Sequence, residues 1–273
     1  MLGDTPECHD EVTGRTRKLF RMRFIAVIPA RYASTRFPGK PLALLGGETV
    51  IERVYRRVAS AVTDVVVATD DRRIHDAVTA FGGRAVMTSA EHRSGTDRVS
   101  EAVEALGGQW DVIVNVQGDE PFIRAEQITA LCRCFDDEET QIATLAKPFG
   151  RSPEDIRAIE NINSPKIVTS RDGHALYFSR SVIPFIRGTA MDEWPVAFPF
   201  LKHIGMYAYR QDVLTAITRL PQSALERAEN LEQLRWLEYG YRIRVALTDQ
   251  DTIGIDTPDD LARAEKLLAQ GAV

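Results

Sequence analysis

Along the first half of the chain, short apolar runs alternate with stretches of helical period. Phe24 to Ile28 is an apolar run closed by Pro29, the pattern of a strand buried on both faces. Gly46-Gly47 marks a turn, and Val50, Val54, Val58 and Ala61 recur at helical spacing, which predicts a helix over 50–61. Val65-Val66-Val67-Ala68 is a second buried strand, ending in Thr69-Asp70-Asp71. A helix over 72–80 stops at Gly82-Gly83, and 84–87 is a third strand. Ser94 caps the next helix, with Asp97 at the third position and an apolar stripe of Val99, Ala102, Val103 and Leu106. Residues 112–116 form the fourth strand. This alternation predicts an α/β fold, a mostly parallel sheet with helices on both faces.

Beyond residue 140 the pattern changes. Strands are predicted at 141–146, 165–169, 175–179, 202–209 and 242–247, with a turn at Asp172-Gly173. A loop-rich stretch between Ile183 and Phe200 carries Phe185, Trp194, Phe198 and three prolines. An antiparallel insertion of this kind, around 175–210, is a lid over the site, a dimer arm or a local mini-core; the arm is preferred. One helix is predicted over 223–239, with Leu225, Leu231, Leu234 and Trp236–Leu237 mainly apolar and Gly240 as its C-cap. Thr257, Pro258 and Asp260 are the N-cap, first position and capping acid of a final helix.

The 273 residues suffice for a single domain over 23–273 with that insertion. Residues 1–22 are polar and lack an apolar signal core, so they read as a disordered or start-site extension. A net charge of −5 argues against general nucleic-acid binding, and no apolar run reaches membrane-spanning length. Cys8, Cys132 and Cys134 make neither a disulfide framework nor a zinc set, in keeping with a reducing compartment.

The candidate chemistry lies at strand ends. Arg31, Arg36 and Lys40 follow the first strand within a loop of small residues, where an α/β sheet binds ligands and where cations neutralise a polyphosphate. The loop is not a Walker A motif, because Ser34 and Pro41 stand where that motif needs glycine and Ser or Thr. No G-x-G-x-x-G follows the strand either. After the fourth strand comes Gln117-Gly118-Asp119-Glu120-Pro121, an acidic pair able to hold Mg²⁺ beside a phosphate. Turn chemistry alone also explains that run. Helix capping accounts for Thr257 and Asp260 but leaves Asp256 unexplained.

Together, the runs 28–41, Ser94 to Arg98, Asn115 to Pro121, Ala175 to Arg180, Lys202 to Gly205, Leu231 to Arg235 and Gly254 to Asp260 closely resemble the 3-deoxy-manno-octulosonate (Kdo) cytidylyltransferases. The resemblance covers nearly everything from Met22 onward. It implies a nucleotide-diphospho-sugar transferase-like fold and a cytoplasmic, homodimeric, Mg²⁺-dependent enzyme of lipopolysaccharide biosynthesis. The implied reaction makes CMP-Kdo and pyrophosphate from CTP and Kdo. On the nucleotide side it implies Pro29, Ala30, Arg31, Lys40, Ser94, Gly95, Thr96 and Asp119. It assigns Asp119 and Asp256 to the metal and, with Arg31 and Lys40, to catalysis. On the sugar side it implies Arg36, Gln117, Arg180, His203, Tyr207, Glu232 and Gln233. The chain departs from the family pattern at Asn161-Ile162-Asn163-Ser164-Pro165 and through 186–200. Alternative acceptors are 8-amino-Kdo and sialic acid. A non-catalytic nucleotide-binding module fits less well, since it predicts the loss of a loop cation or metal carboxylate.

Overall fold

The computed structural model describes residues 22–271, so the expectation for the N-terminal extension lies, but for Met22, outside the described residues. The first half forms β1 (Phe24–Ala30), the small hairpin β2 (Leu44–Leu45) and β3 (Glu48–Thr49), α1 (Val50–Ala59), β4 (Asp64–Thr69) and α2 (Arg72–Ala80). It continues with β5 (Ala85–Met87), α3 (Gly95–Leu106) and β6 (Val112–Asn115). The second half adds α4 (Ala125–Arg133), β7 (Ile142–Pro148), α5 (Pro153–Glu160), β8 (Lys166–Thr169), β9 (Ala175–Ser179) and α6 (Trp194–Ala197). Then come β10 (Leu201–Arg210), α7 (Gln211–Ile217), α8 (Ala224–Glu229), α9 (Gln233–Glu238), β11 (Ile243–Leu247) and α10 (Pro258–Ala269).

The main sheet runs β11-β7-β10-β6-β1-β4-β5, with β8 on β10 and β9 on β8. Along that path only β10 runs against the others. Both faces are covered, and β1 shows why. Ile25 and Val27 enter the core beneath α3, α7 and α9, while Ala26 and Ile28 enter the core beneath α1, α2 and α4. Burying each such Val or Ile contributes roughly 1.5–3 kcal/mol, so a strand of this composition is stable only between two helical layers.

From β1 the chain moves outward to β4 and β5, then returns to place β6 on the other side of β1. That reversal opens a crevice at the carboxyl ends of β1 and β6, where open α/β sheets bind ligands. β1 pairs with β6 only as far as Val27 but with β4 as far as Ala30. Beyond Ile28 it is therefore paired on one side, and Pro29 is tolerated inside the strand. At the far end of the chain, α10 packs Ala264, Leu261 and Leu268 against Leu45 and Val50. The Gly46 N–H donates to Glu265 Oε1 at 2.9 Å. This docking sets Asp256 above the loop that follows β1.

The structure differs from the sequence expectation in three places. The helix expected over 223–239 is two helices, α8 and α9, because Asn230 adopts the left-handed conformation (φ 49°) that Asn tolerates better than most residues. β10, expected within an inserted arm, lies inside the main sheet between β6 and β7. The remaining 182–200 stretch folds on its own small core of Trp194 and Phe200 with Ile159, while Phe185 (74% exposed) and Val196 (68% exposed) face outward. The third difference is that α5 and α7 had no sequence expectation. α5 carried a legible signal, a Ser152–Asp155 capping box with Pro153 at its start. Burial pushes the Cys132 thiol up to about 12 and the Cys134 thiol up to about 11, so both stay protonated at neutral pH.

Candidate active site

The loop after β1 is shaped by backbone hydrogen bonds. The N–H groups of Ser34 and Gly39 both donate to Tyr32 O, at 2.9 and 3.0 Å. The Arg73 guanidinium lies 3.3 Å from the centre of the Tyr32 ring and pairs with Asp71, which fixes the ring in place. Gly39 has φ 72°, and a Cβ there would meet the Tyr32 ring at 3.0 Å, so the turn needs glycine. Lys40 then opens a short 3-10 turn with Pro41 buried behind it.

Lys40 joins the two ends of the chain. Its Nζ donates to Asp119 Oδ2 at 2.7 Å and to Asp256 Oδ1 at 3.1 Å. Arg36 Nη2 donates to the other oxygen of Asp256 at 3.0 Å. Asp119 comes close because Gly118 packs against β1: a Cβ at Gly118 would stand 2.9 Å from Pro29 O. The Ile255 N–H donates to Asp119 O at 2.9 Å, tying the two carboxylate-bearing loops together.

These residues line a cavity of about 350 Å³. Pro29, Ala30, Arg31, Arg36, Lys40, Ser94, Gly95, Gln117, Asp119 and Asp256 all face it. It lies within the size range of small-molecule sites, roughly 300–1,000 Å³. Of the expected nucleotide-side residues, Thr96 alone does not line it: Thr96 is buried and donates from Oγ1 to Glu232 Oε2 at 2.7 Å. The Ser94 hydroxyl accepts from the Asp97 N–H, so the expected cap is present on the serine side. The cavity also has residues the sequence reading missed, His92, Arg93 and Arg98. Arg98 is buried between Asp70 (2.9 Å) and Thr88 (2.6 Å). Its signal was present in the Ser-Gly-Thr-Asp-Arg run, one turn into α3.

The expected sugar-side residues divide. Arg36 and Gln117 belong to this same cavity. His203 and Tyr207 lie on β10, both buried, with His203 Nε2 at 3.0 Å from Tyr207 Oη and 3.1 Å from Thr144 Oγ1. A bulge between Ile204 and Tyr207 brings Thr144 Oγ1 to 2.9 Å from Met206 O. Burial lowers the His203 imidazole to about 3, so it is neutral near pH 7. Glu232 accepts from Thr96 and, at 2.7 Å, from Arg235. Burial raises the Glu232 carboxyl above its ordinary value, opposed by those two donors. Gln233 is buried, and its Nε2 has no hydrogen-bond partner among the described residues.

Arg180 is occupied differently. Its guanidinium donates to the carbonyls of Glu229 (2.7 Å), Ile162 (2.9 Å) and Asn230 (3.2 Å). It thereby holds the turn at 161–163 against the break between α8 and α9.

Among the described residues no three acidic, His or Cys side chains gather as a metal cluster. Two carboxylates beside a cation-lined cavity nonetheless suit Mg²⁺, which is commonly held by one or two carboxylates together with substrate phosphate oxygens. Glu120, the neighbour of Asp119, is held differently. Burial, and then the neighbouring Asp119 charge, push its carboxyl up to about 8.

The Cytidylyltransferase family profile matches residues 25–243. The 3-deoxy-manno-octulosonate cytidylyltransferase of Bacteroides thetaiotaomicron is 59% identical over 247 residues, covering 90% of this chain and 98% of that protein. The protein of the same name from Parabacteroides distasonis is 60% identical, covering 91% and 99%. A solved CMP:2-keto-3-deoxy-manno-octonic acid synthetase complexed with CTP superposes with a TM-score of 0.83 at 41% identity, over 91% of this chain and 99% of that one. A Leptospira borgpetersenii cytidylyltransferase, 17% identical with a TM-score of 0.59, shares the fold over 92% of this chain and 88% of its own. With relatives about 60% identical over nearly their whole length, and a solved synthetase sharing the fold, the chain belongs to the 3-deoxy-manno-octulosonate cytidylyltransferase family.

Proposed function

We propose that this protein transfers CMP from CTP to the anomeric hydroxyl of Kdo, releasing pyrophosphate. The observation that carries the reading is the Lys40 ammonium between Asp119 and Asp256 in a cation-lined cavity at the switch point of the sheet. The anomeric oxygen bonds to the α-phosphorus as the bond to the pyrophosphate oxygen breaks. Charge is redistributed over phosphate oxygens, so fixed cations and positioning supply most of the catalysis. Arg31 and Lys40 bind the triphosphate, and Ser94 and Gly95 present the start of α3 to the nucleotide.

Asp119 and Asp256 would hold Mg²⁺, which when bound would neutralise phosphate charge. His203, Tyr207, Glu232 and Gln233 form the acceptor side, with Arg36, Gln117 and Arg180 at its margins. His203 serves there as a hydrogen-bonding group; at about 3 its imidazole is too weakly basic to take a proton near neutral pH. The exposed Phe185 and Val196 support a homodimer contact through the 182–200 stretch. A cytoplasmic place in lipopolysaccharide synthesis follows from the acceptor.

The test is pyrophosphate release from purified protein with CTP and Mg²⁺, with and without Kdo. Kdo-dependent release with CMP-Kdo as product is expected. Release with 8-amino-Kdo or sialic acid but not Kdo would move the acceptor. No release with any of these sugars, from folded protein, would overturn the reading.

A further inference from the structure

The two cations assigned to the triphosphate are not in equivalent states. Arg31 is exposed and has no ion-pair partner among the described residues, so it can meet an incoming phosphate directly. Lys40 is engaged: its side chain is 11% exposed, and its Nζ touches one oxygen of each metal carboxylate. The second oxygen of Asp256 already faces Arg36. A divalent cation bridging Asp119 Oδ2 and Asp256 Oδ1 would need the space that the ammonium uses. At typical Mg²⁺–oxygen distances of about 2.1 Å, one pair of oxygens does not accommodate both.

The charges point the same way. Lys40 and Arg36 neutralise two carboxylates, and adding a divalent ion without moving a cation would leave an excess of positive charge in a partly buried place. The Lys40 backbone is held by its 3-10 turn and by Pro41, while its side chain is long and flexible. The ammonium can therefore swing without disturbing the loop.

We propose that Lys40 is an exchangeable counter-ion. It bridges Asp119 and Asp256 until a nucleoside triphosphate draws its ammonium onto the phosphates, and the same movement exposes the carboxylate pair to the divalent cation. Metal and nucleotide then bind with positive coupling, because one lysine stands in the way of the first and is a ligand of the second. This inference rests on the nucleotide reading of the cavity.

The experiment measures two affinities of opposite expected sign. Mn²⁺ binding to nucleotide-free protein is followed by electron paramagnetic resonance for wild type, Lys40→Met and Lys40→Met/Asp119→Asn. Lys40→Met should bind Mn²⁺ about ten-fold or more tightly than wild type, and the double variant should lose that gain. Arg36→Met, which removes an exposed and screened partner, should gain only about two-fold. Binding of the CTP analogue with a methylene between its α- and β-phosphorus, in EDTA, is measured by calorimetry. It should be about ten-fold or more weaker in Lys40→Met than in wild type. Lys40→Gln, which keeps a donor for the carboxylates, is read in the same way should the methionine variant not fold.

Mn²⁺ binding by the folded variant that is no tighter than wild type overturns the proposal, whether or not CMP-Kdo is made. Failure of wild type to bind the CTP analogue when Mg²⁺ replaces the EDTA instead overturns the nucleotide reading beneath it.

Discussion

The two halves of the proposed site solve different physical problems. The nucleotide half, at the carboxyl ends of β1 and β6, is open and charged: Arg31, Arg36 and Lys40 face Asp119 and Asp256 around one cavity. The acceptor half, on β10 and α9, is closed and nearly neutral. His203 is uncharged, Tyr207 keeps its proton, and Glu232 is half-buried between Thr96 and Arg235. Polyphosphate chemistry at the first calls for mobile charge near solvent. Recognition of a hydroxyl-rich sugar at the second calls for buried hydrogen-bonding groups of set direction, whose cost is large when they are left unpaired. Removing a charge from the first half should therefore slow turnover, and removing a hydrogen bond from the second should change acceptor affinity.

The largest effect is expected from Asp119→Asn. It keeps size and removes a charge, so kcat should fall about 10²-fold or more with an unchanged circular dichroism spectrum. Near wild-type turnover would detach Asp119 from the chemistry. Glu232→Gln is the matching test of the closed half: KM for Kdo should rise about ten-fold while KM for CTP stays within about two-fold. Equal changes in both constants would erase the division between the halves.

Arg180→Ala sharpens the boundary. Three carbonyls lose a charged donor, so stability should fall by about 1–3 kcal/mol in a urea titration. KM for Kdo should rise more than KM for CTP, because Glu232 and Gln233 follow the break that Arg180 holds. Lost stability with both constants unchanged would make Arg180 structural only.

The smallest effect concerns His203. Its folded value, about 3, lies below its unfolded value, about 6.5, so the unfolded chain takes up a proton that the native protein does not. The stability associated with neutral His203 is present above about pH 6.5 and declines as pH falls toward 3. Melting temperature should therefore drop less steeply with acid in His203→Gln than in wild type. Identical slopes would show that His203 is not buried neutral.

Legibility also differed between the halves. The cation loop, Asp119 and the α10 cap were readable because each is written in contiguous residues: an apolar run, then small and charged residues, then a capping box. Asp256 stood out as the acid that capping did not explain, and the structure places it on Lys40. The second half was less readable. The mainly apolar, Glu-, Gln- and Arg-rich run over 223–239 described one helix, and nothing in the pattern announces the left-handed Asn230. β10 was recognised as a strand but assigned to an arm. Its partners β6 and β7 lie far from it in sequence, and pairing energy depends on neighbours that periodicity does not reveal.

From composition and order alone, this chain settles its α/β class, the position of its cation loop, its acidic loop and the cap of its last helix. These are consequences of local sterics and of which side chains avoid water. Tertiary structure decided which of those groups meet. Docking of α10 on the β2–β3 hairpin brings Asp256 to Lys40, and Gly118 lets the Asp119 loop close on β1. The break at Asn230 separates α8 from α9, and Glu232 reaches Thr96 just beyond it. Each of these contacts joins residues distant in sequence. Such contacts exist only once the sheet and its two helical layers have met the entropy cost of holding those segments side by side.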